Sequence, residues 1–306
     1  MPFAPILLFT YNRPLHTQKT LEALKKNPLC EKSDLFIFSD GAKNEEDAER
    51  VNEVRNVIRY TAGFKSLDIT ENRTNKGLAQ NIIEGVTQMV EQYGKVIVLE
   101  DDLITAPYFL SFMNKALVRF EKTEKIGHIH AFCYPLPDLP DTFLIKWTGS
   151  WGWATWQRAW NRFNPNGTVL LNELEHRRLT KSFDFNGSYP YTRMLRKQVR
   201  GENNSWAIRW NASLFLNEML SLNAGKSLVQ NIGFDGSGTH CGLQDIYATS
   251  LHTRPLSLDI PILEENCAAR YAFEKYYRRT NGFWIKVKRR MKRYASLTPL
   301  IAKTSQ

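Results

Sequence analysis

The alternation of apolar, strand-like runs with amphipathic helical patterns over residues 4–125 most constrains how this chain can fold. Four such runs end in polar residues: APILLFTYN, DLFIFSDG, LDITEN and KVIVLEDD. A helical pattern follows each run; Gly94 closes the third predicted helix, and Pro107 lies in the first turn of the fourth. Strands that alternate with helices form mostly parallel sheets with right-handed crossovers. The sequence therefore predicts an α/β fold with a Rossmann-like sheet and helices on both of its faces.

Polar residues gather directly after three of the predicted strands, at residues 10–13, 39–40 and 100–102. Open α/β sheets bind ligands in the crevice outside the carboxyl ends of their strands. We therefore expect these residues to share one ligand site.

Glu100, Asp101 and Asp102, here called the acid cluster, follow the apolar run of residues 96–99. Three adjacent carboxylates repel one another, and at a strand end they cost free energy unless a cation or hydrogen-bond donors gather them. Mn²⁺ and Mg²⁺ favour carboxylate oxygens and also take substrate phosphates as ligands. The pattern predicts a site for Mn²⁺ or Mg²⁺ and a phosphate-bearing substrate; a solvated acidic turn is the alternative.

The phosphate-binding motifs of the commonest nucleotide folds are missing from the sequence. It contains no GxxxxGK[ST], which disfavours a P-loop NTPase, and no GxGxxG after the first strand, which disfavours a Rossmann dinucleotide site. The remaining common solution is a nucleotide-sugar transferase, in which a cation neutralises the leaving diphosphate and the protein positions an acceptor hydroxyl.

The texture of the chain changes from residue 126 onward. Five tryptophans fall within fourteen residues from 147, and residues 227–242 read as a strand that runs into a glycine-rich loop. No Pro/Gly/Ser-rich linker is evident, so we expect a continuous second lobe. The predicted organisation is a nucleotide-sugar-binding half (1–125), an acceptor-side half of the same domain (126–265) and a basic tail (266–306).

The net charge of +10 is concentrated near the end of the chain. Residues 278–293 hold eight basic residues and no acidic one, interleaved with Phe283, Trp284 and Met291. Such a segment is typical of peripheral attachment to anionic lipid; a solvated basic helix is the alternative. Because the rest of the chain is close to neutral, no nucleic-acid surface is expected.

The predicted location follows from what the sequence lacks. No apolar run reaches the roughly 18 residues of a transmembrane helix. The first residues read as a β-strand rather than a signal peptide, and the four cysteines are scattered, as in reduced proteins. The expected location is the cytoplasm, at the inner face of the membrane.

Three segments carry a resemblance to a known family. VIVLEDDLITAPYFLSF resembles the metal-binding region of the N-acetylglucosaminyltransferase I family (glycosyltransferase family 13), which has the GT-A fold. WGWATWQRAW is similar to a Gly-Trp segment of that family, and GFDGSGTHCG is similar to its flexible Gly-rich loop. Their order and approximate spacing hold over residues 4–245, which implies a GT-A fold with a smaller acceptor-side lobe.

The resemblance implies roles for the polar strand ends. Asp102 would ligate Mn²⁺ directly, Asp101 would contact the ribose, and Glu100 would hydrogen-bond the donor sugar. Arg13 would contact the diphosphate, and Asp40 would accept a hydrogen bond from the uracil ring.

Further donor-binding candidates lie beside these positions or on the matching segments. They are Thr10 and Tyr11 after the first strand, Asn75, Lys76 and Asn81 in the nucleotide pocket, Trp151 and Trp153 as an apolar wall beside the sugar, and Thr239 and His240 at the end of the Gly-rich loop. The glycines of FDGSGTH leave its backbone soft, so this loop is expected to act as a mobile lid over the diphosphate.

The general base is the point at which the chain departs from the family. That family inverts the anomeric configuration and uses an Asp shortly before a Trp, whereas this chain reads ENNSW at residues 202–206. An inverting reaction needs a carboxylate near the acceptor oxygen to take its proton. The candidates are Asp235, which we prefer, and Glu202.

The sequence thus predicts a metal-dependent glycosyltransferase of surface-polysaccharide assembly. It would move a hexose such as GlcNAc from a nucleotide-diphosphate donor, most simply a UDP-sugar, to a hydroxyl of a glycan or lipid-linked glycan. One rival is a nucleotidyltransferase, which usually carries a Gly-rich basic loop where this chain has TYNRP. The other is a degenerate carbohydrate-binding protein, which would explain the missing Asp.

Overall fold

A computed structural model of the chain describes residues 2–235 and 249–281. The first half alternates strands and helices in the order β1 (Ile6–Thr10), α1 (Pro14–Lys25), β2 (Asp34–Ser39), α2 (Glu45–Arg59), β3 (Ser66–Glu71), α3 (Leu78–Tyr93), β4 (Lys95–Glu100), β5 (Leu103–Thr105) and α4 (Phe109–Arg119). The second half is less regular: β6 (Ile126–His130), β7 (Thr142–Ile145), β8 (Trp153–Trp156), α5 (Gln157–Trp160), α6 (Gly167–His176), α7 (Thr180–Phe183), α8 (Tyr191–Val199), α9 (Trp206–Leu216), β9 (Leu220–Ala224), β10 (Val229–Asn231) and α10 (Cys267–Asn281).

Eight strands form one sheet in the order β3-β2-β1-β4-β8-β6-β9-β7. Six of them share one direction, while β8 and β7 run antiparallel to their neighbours. A small second sheet pairs β10 with β5. The predicted α/β class with a mostly parallel sheet is confirmed, and strands from both halves of the chain contribute to it.

The order of the first four strands positions the ligand crevice. The chain starts at β1, moves outward to β2 and β3, and returns across β1 to β4 on its other side. In open α/β sheets, ligands bind at such a switch point, outside the carboxyl ends of the two strands. Here those ends are Thr10 and Glu100.

Apolar side chains cover both faces of the sheet, which explains why the strands read as continuous apolar runs. Within β1, Leu8 belongs to the cluster packed under α1 and α4, whereas Phe9 belongs to the cluster under α3 and α9. The third helix ends as predicted, at Gly94 with φ 75°. The fourth begins two residues after Pro107, because residues 106–108 form a turn in which the Phe109 N–H donates to the Ala106 carbonyl.

A separate aromatic cluster lies in the second half of the chain, and it includes part of the segment that the sequence assigned to the tail. Helix α10 buries Phe273 and Tyr277 in it. The Trp147 indole N–H donates to the Tyr191 hydroxyl at 2.7 Å, and that hydroxyl lies 3.1 Å from the Tyr277 hydroxyl. No helix in the described residues is long and apolar enough to cross a membrane. Most of the basic stretch 278–293 lies outside those residues.

Candidate active site

The acid cluster lies at the β1–β4 switch point, tied to the turn between β1 and α1. Phe9 pairs with Glu100, so strands β1 and β4 end at the same level of the sheet. The Tyr11 N–H donates to Asp101 Oδ2 at 3.1 Å, and the Thr20 hydroxyl donates to the Asp101 carbonyl at 2.9 Å. The structure therefore brings the predicted ends of β1 and β4 together.

Asp102 is nearly buried, with 8% of its surface exposed. Arg13 Nη1 lies 3.0 Å from Asp102 Oδ2, and Asn231 Nδ2 lies 3.4 Å from Asp102 Oδ1. The Ile232 N–H donates to the Asp102 carbonyl at 2.8 Å. Both carboxylate oxygens thus have partners within the chain.

Gly233 allows its main chain to lie directly against this pair. A Cβ added at Gly233 would overlap Asp102 Oδ2 and would lie 2.9 Å from Arg13 Nη1. Any larger residue would have to push the segment away from the acid cluster.

Burial raises the pKa of every carboxyl in the acid cluster, and repulsion from neighbouring carboxylates adds to it for Glu100 and Asp101. Burial is the larger cause for all three. Burial, followed by the charge of Asp102, raises the pKa of Asp101 to about 7. The positive charge of Arg13 lowers the pKa of all three carboxyl groups in part. Glu100 is partly exposed, and its carboxylate has no hydrogen-bond partner within residues 2–235 and 249–281. The raised pKa values mean that the ionised carboxylates are disfavoured at this site, and an added cation would stabilise them.

Asp235 lies at the rim of the same site. Its Oδ2 is 3.1 Å from His16 Nε2, on the first turn of α1, and its side chain is 48% exposed. His16 also lowers the pKa of Asp102, which shows how near α1 brings it to the acid cluster. The structure therefore places the preferred base candidate beside the acids.

Glu202 has different surroundings. It is exposed, and it pairs with Arg200 at 2.6 Å and with Lys197 at 3.4 Å. The hydrogen bond from Arg200 lowers its pKa, which weakens it as a base. No contact within the described residues connects it to the acid cluster.

Asp40 is buried at the end of β2, but its carboxylate holds a neighbouring loop. Its two oxygens accept five hydrogen bonds of 2.8–3.3 Å, from the N–H groups of Gly41, Lys76 and Gly77 and from the side chains of Asn72 and Asn75. A carboxylate has about four lone-pair sites. Contact with a uracil ring stays a prediction, and it would require one of these donors to leave.

The other candidates of the nucleotide pocket surround this loop. Asn81 donates to the Gly77 carbonyl at 3.1 Å, whereas Lys76 is exposed and pairs with Glu84 at 2.8 Å. The Thr10 hydroxyl is buried and has no partner within the described residues. The loop thus lies at the same sheet edge as the acids, and its direct part in binding stays a prediction.

The two tryptophans that were expected to form a wall beside the sugar have different environments. Trp151 is partly exposed, and its ring lies 5.5 Å from that of Phe234, next to Gly233. Trp153 is fully buried and packs against Trp206 at 5.2 Å. The expectation that Trp153 borders the sugar is therefore corrected: its position opposite Val98 in the sheet places it in the core.

Several residues at this site escaped the sequence interpretation. Asn231 contacts Asp102 of the acid cluster, and His16 contacts Asp235. Asp47 accepts a hydrogen bond from the Tyr11 hydroxyl at 2.8 Å. Burial, followed by that hydrogen bond, raises the pKa of Tyr11 to about 12. Asn231 was the most accessible of these from sequence, because it is a polar residue at the end of a predicted strand. Thr239, His240 and most of the predicted lid lie outside the described residues.

The acid cluster fits a hard divalent cation by its chemistry. It offers the oxygens of three adjacent carboxyl groups, and the Glu100 carboxylate has no hydrogen-bond partner within the described residues. Within the described residues, no three His, Cys, Asp or Glu side chains already surround one point. Since Mg²⁺ is commonly held by one or two carboxylates plus substrate phosphates, Asp102 fits a cation that shares its ligands with a diphosphate.

Comparison with known proteins leaves the family of the chain open. No protein-family model matches it, and a search of curated proteins finds no match. Among solved structures, it is similar to a mannosyltransferase from Pyrobaculum calidifontis in complex with GDP-Man and Mn²⁺ (10% identity, TM-score 0.42), over 71% of this chain and 69% of that one. It is also similar to S. aureus TarS, with 15% identity and a TM-score of 0.41 over 75% of this chain and 36% of that one. A third similar structure is a cytidylyltransferase from Leptospira borgpetersenii, with 11% identity and a TM-score of 0.34 over 52% of this chain and 62% of that one. The chain spans about a third of TarS. Because the TM-scores of these three structures are all below 0.5, the functional assignment of the chain rests on its own residues.

Proposed function

We propose that this chain is a metal-dependent glycosyltransferase of the GT-A type, which transfers a hexose from a nucleoside-diphosphate sugar to a glycan hydroxyl. The observation that carries the proposal is the acid cluster at the β1–β4 switch point, with Arg13 paired to Asp102 at 3.0 Å. Negative groups for a cation and a cationic group for a diphosphate lie side by side there, which is the combination that a nucleotide-sugar donor requires.

Different residues around the crevice bind different groups of the nucleotide-sugar donor. Arg13 binds the diphosphate at the N-terminus of α1, where main-chain N–H groups and the helix dipole also favour an anion. Glu100 accepts hydrogen bonds from the sugar hydroxyls, and Asp101 from the ribose. Trp151 presents an apolar ring to the sugar. The cation, when bound through Asp102, supplies positive charge to the leaving diphosphate.

Asp235 acts as the general base in this proposal. The acceptor oxygen forms a bond to the anomeric carbon as the bond from that carbon to the diphosphate oxygen breaks. The acceptor proton passes to the Asp235 carboxylate, and the bonding electrons leave with the nucleoside diphosphate. A single displacement of this kind inverts the anomeric configuration. His16, at 3.1 Å, orients the carboxylate.

The cellular setting is a separate part of the proposal. We place the enzyme in surface-polysaccharide assembly in the cytoplasm, with a UDP-sugar donor such as UDP-GlcNAc and a lipid-linked acceptor. The basic residues near the end of the chain, eight within 278–293, support attachment to an anionic membrane surface.

Calorimetric titration with a panel of nucleoside diphosphates and nucleotide sugars, with and without Mn²⁺, tests the proposed activity. We expect one donor to bind in a metal-dependent way, and Asp102→Ala to abolish that binding. Asp68→Ala, which removes an exposed carboxylate from β3, is the matched control and should bind as the wild type does. A wild-type protein that binds no nucleotide would exclude the proposed function. Release of pyrophosphate from a nucleoside triphosphate and a sugar phosphate, measured in a separate assay, would indicate a nucleotidyltransferase.

A further inference from the structure

The carboxylate best placed to hold a cation is already engaged by this chain's own donors. Arg13 occupies Asp102 Oδ2, Asn231 occupies Oδ1, and the main chain at Gly233 covers the pair. We propose that Arg13 takes the place of the cation on Asp102 until a nucleoside diphosphate arrives, so that cation and diphosphate bind as a coupled unit. This inference rests on the proposed function and adds a holding role for Asn231.

The geometry leaves little room for a cation beside Arg13. A cation bound to Oδ2 lies about 2.1 Å from it. Since Arg13 Nη1 lies 3.0 Å from the same atom, the cation and this guanidinium nitrogen could be at most about 5 Å apart. They would repel each other in a site from which most water is excluded, because the two side chains are only 16% and 11% exposed. A cation arriving alone must therefore displace the guanidinium.

A diphosphate gives the displaced guanidinium a better partner. Guanidinium groups bind phosphate through two parallel hydrogen bonds, whereas Arg13 makes a single hydrogen bond to Asp102, from Nη1 to Oδ2 at 3.0 Å. Arg13 immediately precedes α1, so a short movement of its side chain reaches an anion at the helix N-terminus. When Arg13 turns to the diphosphate, Asp102 Oδ2 becomes available to the cation.

Asn231 makes the weaker of the two contacts. Its amide lies 3.4 Å from Asp102 Oδ1, and its own oxygen accepts from the Gly233 N–H at 2.7 Å. It thereby links the carboxylate to the segment that covers it. Removing the Asn231 side chain should free one oxygen of Asp102 without removing any contact to the diphosphate.

Linkage turns this exchange into a measurable quantity. If the diphosphate releases Asp102, it raises the affinity for the cation, and the cation must raise the affinity for the diphosphate by the same factor. Factors of about 5 to 150 are typical of such coupling. The inference also predicts opposite signs for one substitution: loss of the Arg13 charge should strengthen cation binding and weaken diphosphate binding.

The test measures Mn²⁺ binding by the electron paramagnetic resonance signal of free Mn²⁺, and UDP and GDP binding by calorimetry, on the full chain. The Mn²⁺–nucleotide complex formed without protein is measured separately and subtracted. The wild type should bind Mn²⁺ about tenfold more tightly with saturating nucleotide than without it. Arg13→Met should bind Mn²⁺ alone about tenfold more tightly than the wild type, bind nucleotide about tenfold less tightly, and lose most of the coupling.

Further variants keep the test decisive if Arg13→Met does not fold. Asn231→Ala should bind Mn²⁺ alone about twofold to threefold more tightly, with nucleotide affinity unchanged, and Arg13→Lys should retain the coupling in part. Arg50→Met, which removes an exposed charge from α2, should match the wild type. Folded Arg13→Met or Asn231→Ala protein with unchanged or weaker Mn²⁺ affinity would overturn the inference. A wild type that binds neither nucleotide would instead overturn the proposed function.

Discussion

Asp40 and Asp102 follow β2 and β4, the two parallel strands that flank β1, yet their environments differ. Three of the five hydrogen bonds to Asp40 come from main-chain N–H groups, which cannot leave without moving the loop. Asp102 is held by the ends of two side chains, Arg13 and Asn231, which can rotate away. The type of donor, rather than the presence of a buried carboxylate, therefore separates a structural acid from one that can exchange partners.

The largest expected effect extends this comparison to the two candidate bases. Asp235→Asn should lower turnover by about 10²- to 10⁴-fold, because it removes the proton acceptor, while donor binding changes by less than about threefold. Glu202→Gln should leave turnover within about twofold, since its ion pairs are exposed. Steady-state release of the nucleoside diphosphate measures both. Equal losses in the two variants would contradict the assignment of the base.

The second effect concerns folding stability at the two strand ends. Asp40→Ala should lower the free energy of unfolding by about 3 kcal/mol or more, because it leaves buried main-chain donors without partners. Asp102→Ala should change it by less than about 1 kcal/mol, since lost pairing to Arg13 is offset by relief of repulsion within the acid cluster. Urea unfolding of both variants provides the measurement. A larger loss in Asp102→Ala would reverse the comparison.

Strand β6 carries two buried histidines, His128 and His130, near its end. They predict that folding stability depends on pH in the direction opposite to that of the acid cluster. Burial lowers the pKa of His130 to about 3 and that of His128 well below its usual range. The unfolded chain therefore binds more protons than the fold below pH about 6.5, and stability is lost as the pH falls. The acid cluster acts in reverse: its raised pKa values mean that the fold binds more protons below pH about 7, so its contribution grows on acidification.

Comparing variants separates the two contributions. Between pH 7.5 and 5.5, the two histidines should cost the wild type about 2–3 kcal/mol of unfolding free energy. The double variant His128→Gln/His130→Gln should lack that loss, whereas the exposed His176→Asn should keep it. Urea midpoints at several pH values give the difference in slope. Parallel curves for wild type and double variant would exclude neutral buried histidines.

The smallest effect distinguishes the two tryptophans. Trp151→Ala should weaken binding of the nucleotide sugar by about threefold to tenfold and leave binding of the nucleoside diphosphate unchanged, because only the sugar faces the ring. Trp153→Phe should leave both affinities unchanged and lower stability instead, since Trp153 is fully buried. Calorimetry with the two ligands measures the difference. A loss confined to Trp153→Phe would restore Trp153 as the residue beside the sugar.

The fold of the first half could be predicted because strands buried on both faces carry an unmistakable apolar run. The position of β8 between β4 and β6 could not, since it depends on pairings such as Val96 with Thr155, far apart in the chain. The same limit applies to the site. The meeting of Thr10 and Glu100 follows from strand order, but the contacts of Asn231 and His16 depend on where residues 231–235 cross the sheet edge. Asp40 and Asp102 share one local pattern, so only their donors distinguish them.

Strand β8 has a further consequence for how such a molecule can diversify. Because it runs against its neighbours, its starting end, rather than its finishing end, lies at the edge where the parallel strands finish. The loop before β8, residues 147–152, therefore lies on the side of the sheet where the acid cluster is. It belongs to a different segment of the chain from the strands that carry the acids. Changes in the length or composition of this loop can alter what is accepted opposite the donor without disturbing β1, β2 or β4. If the proposed function holds, one donor-binding platform can in this way serve different acceptors through the history of a lineage.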